Sequence, residues 1–198
     1  KDEELEQAQA AGFTPGEYVV ARDAIAVIVN PENPVKELTL AQISAIYRCE
    51  ITNWSQVGGE DRPIVRLSRE TNSGTHVYFL EEVIRLGDKT NTDIFCAETL
   101  LMPSSEGIIA EVADNPNAIG YDGLGYVTED VKMLALSENP AGPFILPSVE
   151  NVNAGTYPIA RDLYMYTRTD TPDGLVKAYL DWVFSAEAQK IVSDLGFV

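Results

Sequence analysis

The chain has 198 residues, 45% of them hydrophobic and 9% aromatic, enough to bury a sizeable core in one large domain or two small ones and too apolar for general disorder. Its 31 acidic residues against 14 basic ones give a formal charge of -17. That balance argues against nucleic acid or an anionic membrane surface as partner, because both reward basic patches.

Residues 1–11 read as a helix with a polar start and Leu5 and several alanines on one side, ended by Gly12 and Thr14-Pro15-Gly16. Tyr18-Val19-Val20 and Ile25-Ala26-Val27-Ile28-Val29 are β-branched runs, the second suited to a buried strand, and Asn30 to Pro34 is an extended turn. Thr39 and Gln42 form a capping box, with Leu38 and Ile43 placed as a hydrophobic staple. The helix they open carries Leu40, Ile43, Ile46 and Tyr47 at helical spacing. Ile51-Thr52-Asn53-Trp54 follows, with Trp54 as anchor of a small satellite core, and then a Gly58-Gly59 turn.

The run Pro63-Ile64-Val65-Arg66-Leu67-Ser68-Arg69-Glu70-Thr71-Asn72-Ser73-Gly74-Thr75 is the most informative in the chain. An apolar stretch fit for a buried strand passes through an arginine into a short polar turn, and the turn opens a helix at or near Ser73. Helix N-termini leave backbone N–H groups without intrahelical partners, and the peptide dipoles make that end positive. A nearby guanidinium and two hydroxyls complete an anion site in miniature. The helix runs to about Leu86 and stops at Gly87.

Residues 88–103 are less regular. Ser104 or Ser105 caps a short helix bearing Ile108, Ile109 and Val112, which Asn115-Pro116-Asn117 breaks. Ile119 to Val127 is glycine-punctuated and reads as a strand and a close-packed turn. Residues 137–155, with Pro140, Gly142, Pro143 and Pro147, read as a loop, and Ile159 to Tyr166 as a strand. Thr171 as cap and Pro172 at the first helical position start a helix with Leu175, Tyr179, Trp182 and Val183 on one face. Ser185 caps the last helix, whose Ile191, Val192 and Leu195 are expected to face inward before Gly196. Strands alternating with helices argue an α/β class.

No apolar run is long enough to span a bilayer, and no segment reads as a signal peptide. Cys49 and Cys96 are not spaced as metal ligands, and two buried thiols or a disulfide remain equally open readings. With His76 as the single histidine, a transition-metal site is not expected. The acidity sits awkwardly with a small-anion ligand, since long-range attraction is missing. Binding would rest on hydrogen bonds in a desolvated cleft, where salt screening beyond about 10 Å leaves contact donors untouched.

Seven stretches, in order and covering most of the chain, resemble the substrate-binding proteins of phosphate-specific ABC transporters. They are Asp23 to Pro31, Leu38 to Ile43, Ile51 to Trp54, Ser68-Arg69-Glu70 with Ser73-Gly74-Thr75, Asn117 to Tyr121, Tyr157 to Arg161, and Gly196-Phe197-Val198. The resemblance implies a periplasmic-binding-protein-like fold of type II, with two α/β lobes joined by two hinge strands that close over the ligand. Residues 23–159 would form a middle lobe carrying the anion half-site, with crossings near 20–28 and 156–162. Residues 1–22 and 160–198 would form the terminal lobe. The family's members begin with a further segment that supplies strands of that lobe and part of the phosphate site, including an acidic residue that accepts the ligand's proton. No residues here match it, so the terminal lobe is expected to be incomplete in this chain and to expose apolar surface.

Carried over residue by residue, Arg69 would pair with phosphate oxygens, Ser73 and Thr75 would donate hydroxyl hydrogens, and the N–H groups of Gly74 and Thr75 would add helix-end donors. Gly74 would leave room for the anion. Each residue has a plainer rival reading. Arg69 reads on its own as a surface arginine paired with Glu70 or Asp61, Ser73 and Thr75 as ordinary caps, and Gly74 as a turn residue. His76 reads as a helix-surface residue. Tyr121 and Asp122 are cleft candidates, the tyrosine reading better as packing.

The resulting expectation is an extracytoplasmic protein, periplasmic or at the cell surface, lipid-anchored if its leader carries a lipid. It would bind inorganic phosphate as ligand, need no cofactor, work as a monomer and deliver to ABC transporter permease subunits. The alternatives are a sensor or interaction module that kept the fold and lost the ligand, and a binder of sulfate, molybdate or tungstate. Catalysis is not expected, because no His pair or reactive cysteine setting supplies an activated nucleophile or metal-bound water.

Overall fold

The computed structural model describes residues 2–198, with side chains from Glu4 onward; Lys1, first residue of the expected N-terminal helix, lies outside the described residues. In chain order the elements are α1 (Asp2–Ala10), β1 (Gly16–Val29), β2 (Glu37–Thr39), α2 (Leu40–Tyr47), β3 (Val65–Arg69), α3 (Gly74–Phe79), β4 (Leu100–Met102), α4 (Ser105–Asp114), β5 (Ala118–Gly123), β6 (Lys132–Met133), β7 (Ala135–Ser137), α5 (Val149–Asn153), β8 (Ala160–Thr167), α6 (Gly174–Val183) and α7 (Ala186–Asp194). They fall into two compact units, one of Lys1–Asp23 with Arg161–Val198 and the other of Ala24–Ala160.

The two β-branched runs expected near the start are one strand, because β1 continues through the polar residues between them. Those residues are matched in charge: Arg161 donates to Asp23 at 2.9 Å and Arg22 to Asp162 at 2.9 Å.

The Ala24–Ala160 unit is built on a sheet with strand order β4-β3-β5-β1-β6. β3 runs parallel to both β4 and β5, while β1 is antiparallel to β5 and β6. Every residue from Ala24 to Val29 is buried, as the unbroken apolar run of a central strand requires. On one face α4 lays Ile108, Ile109 and Val112 against Ala26, Ile28, Leu67 and Ala118. A Cβ on Gly120 would come within 2.7 Å of Ile108, so glycine is what lets α4 approach β5 this closely. Elsewhere in the unit Tyr47, Phe79 and Tyr121 pack together, the last two stacked with centroids 3.6 Å apart.

Local capping follows the sequence. The Thr39 hydroxyl accepts from the Gln42 N–H at 3.1 Å and the Gln42 side chain accepts from the Thr39 N–H at 2.9 Å. Ser104 caps α4 and Ser185 caps α7. Trp54 is buried and donates from its indole nitrogen to the Asn117 carbonyl at 3.0 Å. Cys49 and Cys96 are joined in a disulfide with Cα atoms 5.9 Å apart, which settles the open alternative.

Three expectations are corrected. The stretch 137–155 is not all loop: Ser148 accepts from the Asn151 N–H and starts α5, a cap signal masked by the surrounding prolines. The helix expected from Thr171-Pro172 begins only at Gly174, because the Thr171 N–H is spent on the Thr169 hydroxyl in a local turn. In the other unit Leu175 is 89% exposed, and Tyr179, Trp182, Ile191 and Leu195 are exposed as well. Helical spacing marks an apolar face, but burial needs an opposing layer, which here reaches only Leu180, Val183 and Ala188.

Candidate functional site

Because β3, β4 and β5 run parallel, their carboxyl ends share one edge of the sheet, where ligand crevices form in open α/β sheets. Arg69 ends β3 and is paired in register with Met102 at the end of β4. The β3–β5 register, Arg66 with Ile119, carries Arg69 toward Asp122. Its guanidinium Nη1 donates to the Ser105 hydroxyl at 2.8 Å and lies 3.6 Å from the Asp122 carboxylate. Arg69 keeps 21% of its side chain exposed, and Asp122 keeps 1%. Arg69 is thus bound to neither Glu70 nor Asp61 among the bonds described; Asp61 accepts from Asn53 instead.

The turn after β3 closes with the Ser73 N–H donating to the Glu70 carbonyl at 2.9 Å, and α3 starts at once, with Ser73 at its N-cap position. The Ser73 hydroxyl makes no capping bond, so the plain cap reading does not describe it. A Cβ on Gly74 would meet nothing within 4 Å, and its backbone is not in the left-handed region, so neither packing nor φ requires glycine there. Thr75 sits half-buried in the first turn. Arg69 and Ser73-Gly74-Thr75 therefore lie at the same strand-to-helix junction, while Ser105 and Asp122 join Arg69 from α4 and β5.

His76 was expected on the helix surface; it is 6% exposed. It stacks on Phe95 with centroids 4.6 Å apart, and its Nδ1 lies 3.0 Å from both the Arg69 carbonyl and the Ser68 hydroxyl. A carbonyl only accepts, so the proton sits on Nδ1. The reason is geometric: α3 packs its His76–Phe79 face inward at a spacing of one turn. Ser68 in turn shares a 2.6 Å hydrogen bond with the Tyr121 hydroxyl, whose pKa burial pushes well above its ordinary value. The backbone of Arg69 is thereby gripped from below. Burial pulls the His76 pKa below its usual 6.5, with the bond to Arg69 opposing it. The unfolded chain then binds the proton more readily, so stability falls as pH drops below about 6.5 and levels off under the folded pKa. His76 gives a single imidazole NMR signal. Its midpoint is expected below 6.5 in the native protein and near 6.5 in urea; equal midpoints would refute this.

Ser105 and His76 were the residues missed. Ser105 was read only as a possible cap, and nothing in its neighbourhood announces an arginine partner. Cys49, Cys96 and Glu98 are close enough to hold a metal, but the two sulfurs are bonded to each other and offer no thiolates. Among the described residues no helix is long and apolar enough to cross a membrane.

Residues 1–187 match the family model of the PBP superfamily domain. The chain is 33% identical over 214 residues to the phosphate-binding protein PstS of Pseudomonas aeruginosa, covering all of this chain and 64% of that protein. It thus spans just under two thirds of that curated relative. The crystal structure of an ABC-type phosphate transport receptor from Vibrio cholerae matches with a TM-score of 0.80 at 30% identity, over 93% of this chain and 72% of that one. The structure of PstS from Borrelia burgdorferi matches with a TM-score of 0.79 at 28% identity, over 100% of this chain and 75% of that one.

Proposed function

The chain belongs to the PBP superfamily and has the fold of the PstS-type phosphate-binding proteins; on that premise we propose that it captures inorganic phosphate outside the cytoplasm for an ABC importer. In this reading Ala24–Ala160 is the middle lobe and carries the half-site, and the other unit belongs to the terminal lobe. Arg69 pairs with phosphate oxygens, the hydroxyls of Ser73 and Thr75 donate to them, and the backbone of Gly74 and Thr75 completes the helix-end cradle. The protein acts as a monomer, delivers to the permease subunits and performs no chemistry on its ligand. Its histidine is committed to Ser68 and the Arg69 carbonyl, and its cysteines to each other.

One observation carries the reading. A guanidinium is held at the carboxyl end of a parallel strand, beside a helix start whose glycine faces open space. The Nε–H of Arg69 is also buried without an acceptor among the described residues, a deficit of about 1–3 kcal/mol that an oxyanion relieves.

Gly74→Ala tests the cradle, because it leaves the fold alone. A methyl group there meets no protein atom, so the unfolding midpoint is expected to stay put or rise slightly, while calorimetric titration shows phosphate affinity falling about tenfold. Undiminished affinity would remove Gly74 from the site. Titration of the unaltered protein with phosphate and then sulfate distinguishes the competing readings. Tighter sulfate binding would point to another oxyanion, and no heat with either anion would favour an interaction module.

A further inference from the structure

A buried carboxylate beside an anion site is unfavourable by itself, because like charges repel. Asp122 nevertheless sits at 1% exposure with one oxygen 3.6 Å from Arg69 Nη1. Its other oxygen accepts from the Gly123 N–H at 2.8 Å, which fixes the carboxylate to the end of β5. Ser105, also buried, accepts from the same Nη1 at 2.8 Å from the first turn of α4. One guanidinium nitrogen is therefore held from two elements.

From this geometry we infer that Asp122 is a positioning residue for anion capture: with Ser105 it aims the Arg69 guanidinium at the open turn before α3 and balances its charge. The inference rests on the phosphate reading for its ligand, but the clamp is a property of the free protein. Asp122 is too enclosed to touch a solute and acts through Arg69. Because the pair is charge-balanced, recognition depends on the direction of the N–H groups more than on net charge, in keeping with a chain of charge -17.

The sign of one substitution separates aiming from simple charge. Asp122→Asn keeps the size and the acceptor for the Gly123 N–H and removes the negative charge. If Asp122 only repelled the ligand, phosphate affinity would rise; if it aims Arg69, affinity falls, and about tenfold is expected by calorimetry. A double-mutant cycle with Arg69→Ala is expected to show no added loss from Asp122→Asn once Arg69 is gone, whereas a merely structural role gives additive losses. A ligand-free arm keeps this distinct from the phosphate reading. Arginine side-chain NMR is expected to show hindered rotation of the Arg69 guanidinium in the unaltered protein and several-fold faster rotation in Asp122→Asn. Unchanged or higher affinity in Asp122→Asn, additive losses, or rotation that is already free would each overturn the inference. If the unaltered protein takes up no phosphate, the phosphate reading fails and the NMR comparison alone decides the clamp.

Discussion

Arg69→Ala is expected to lower phosphate affinity at least a hundredfold in calorimetric titration. Charge-assisted hydrogen bonds from a planar fork supply both energy and direction, and a hundredfold is about 2.8 kcal/mol. A smaller loss would mean that the donors of the α3 turn suffice and that Arg69 is peripheral. The substitution also leaves Asp122 buried without its cation. Breaking a fully buried pair costs about 3–5 kcal/mol. Arg69 is one fifth exposed and the pair is 3.6 Å apart, so solvent screening reduces the expected stability cost to about 1–2 kcal/mol. Affinity is therefore also read in Arg69→Ala/Asp122→Asn, where no unpaired buried carboxylate remains. The same loss in that pair assigns the effect to the ligand contact and not to a damaged fold.

The largest effect on stability is expected three residues earlier. Arg66 is buried and its guanidinium is spent on three backbone carbonyls: Ile46 at the end of α2, Ile51 at 2.8 Å and Ile64 at 3.1 Å. It ties the α2 end and the segment after it to β3. Burial pulls its pKa down, with Tyr47 and Glu98 opposing, and it still stays charged at neutral pH because its ordinary value is 12.5. Arg66→Met fills similar volume but removes every donor, so about 3 kcal/mol of stability is lost. Urea denaturation followed through Trp54 fluorescence, in a Trp182→Phe background, reads the unit that holds Arg66. A midpoint unchanged at constant m-value would show that these carbonyls find other donors.

The two arginines show how far residue patterns reach. Strand β3 and the helix after it were legible, because an apolar run, a polar turn and Ser-Gly-Thr are local signals. The role of each arginine within that run was not. Arg66 and Arg69 both precede the turn, and only the sheet decides that one is enclosed by carbonyls and the other reaches the carboxyl edge. His76 failed for the same reason. A histidine in the first turn of a helix has no sequence mark saying which face will be covered, and Phe95, which covers it, arrives on a loop tied down by Cys96.

The amino-acid order by itself determined the α/β alternation, the capping box at Thr39 and Gln42, the caps at Ser104 and Ser185, the buried run of β1 and the junction at Arg69 to Thr75. These depend on interactions within one or two turns or on a strand's own burial, so neighbouring residues suffice. Only the tertiary structure decided that Cys49 meets Cys96, that Asp122 and Ser105 converge on Arg69, and that Leu175, Tyr179 and Leu195 stay exposed. Those outcomes depend on strand register and on which surfaces find an opposing layer. Register in β3–β5 is set by the summed packing of whole elements, and Ser105 lies 36 residues from its arginine, beyond the range of any local rule.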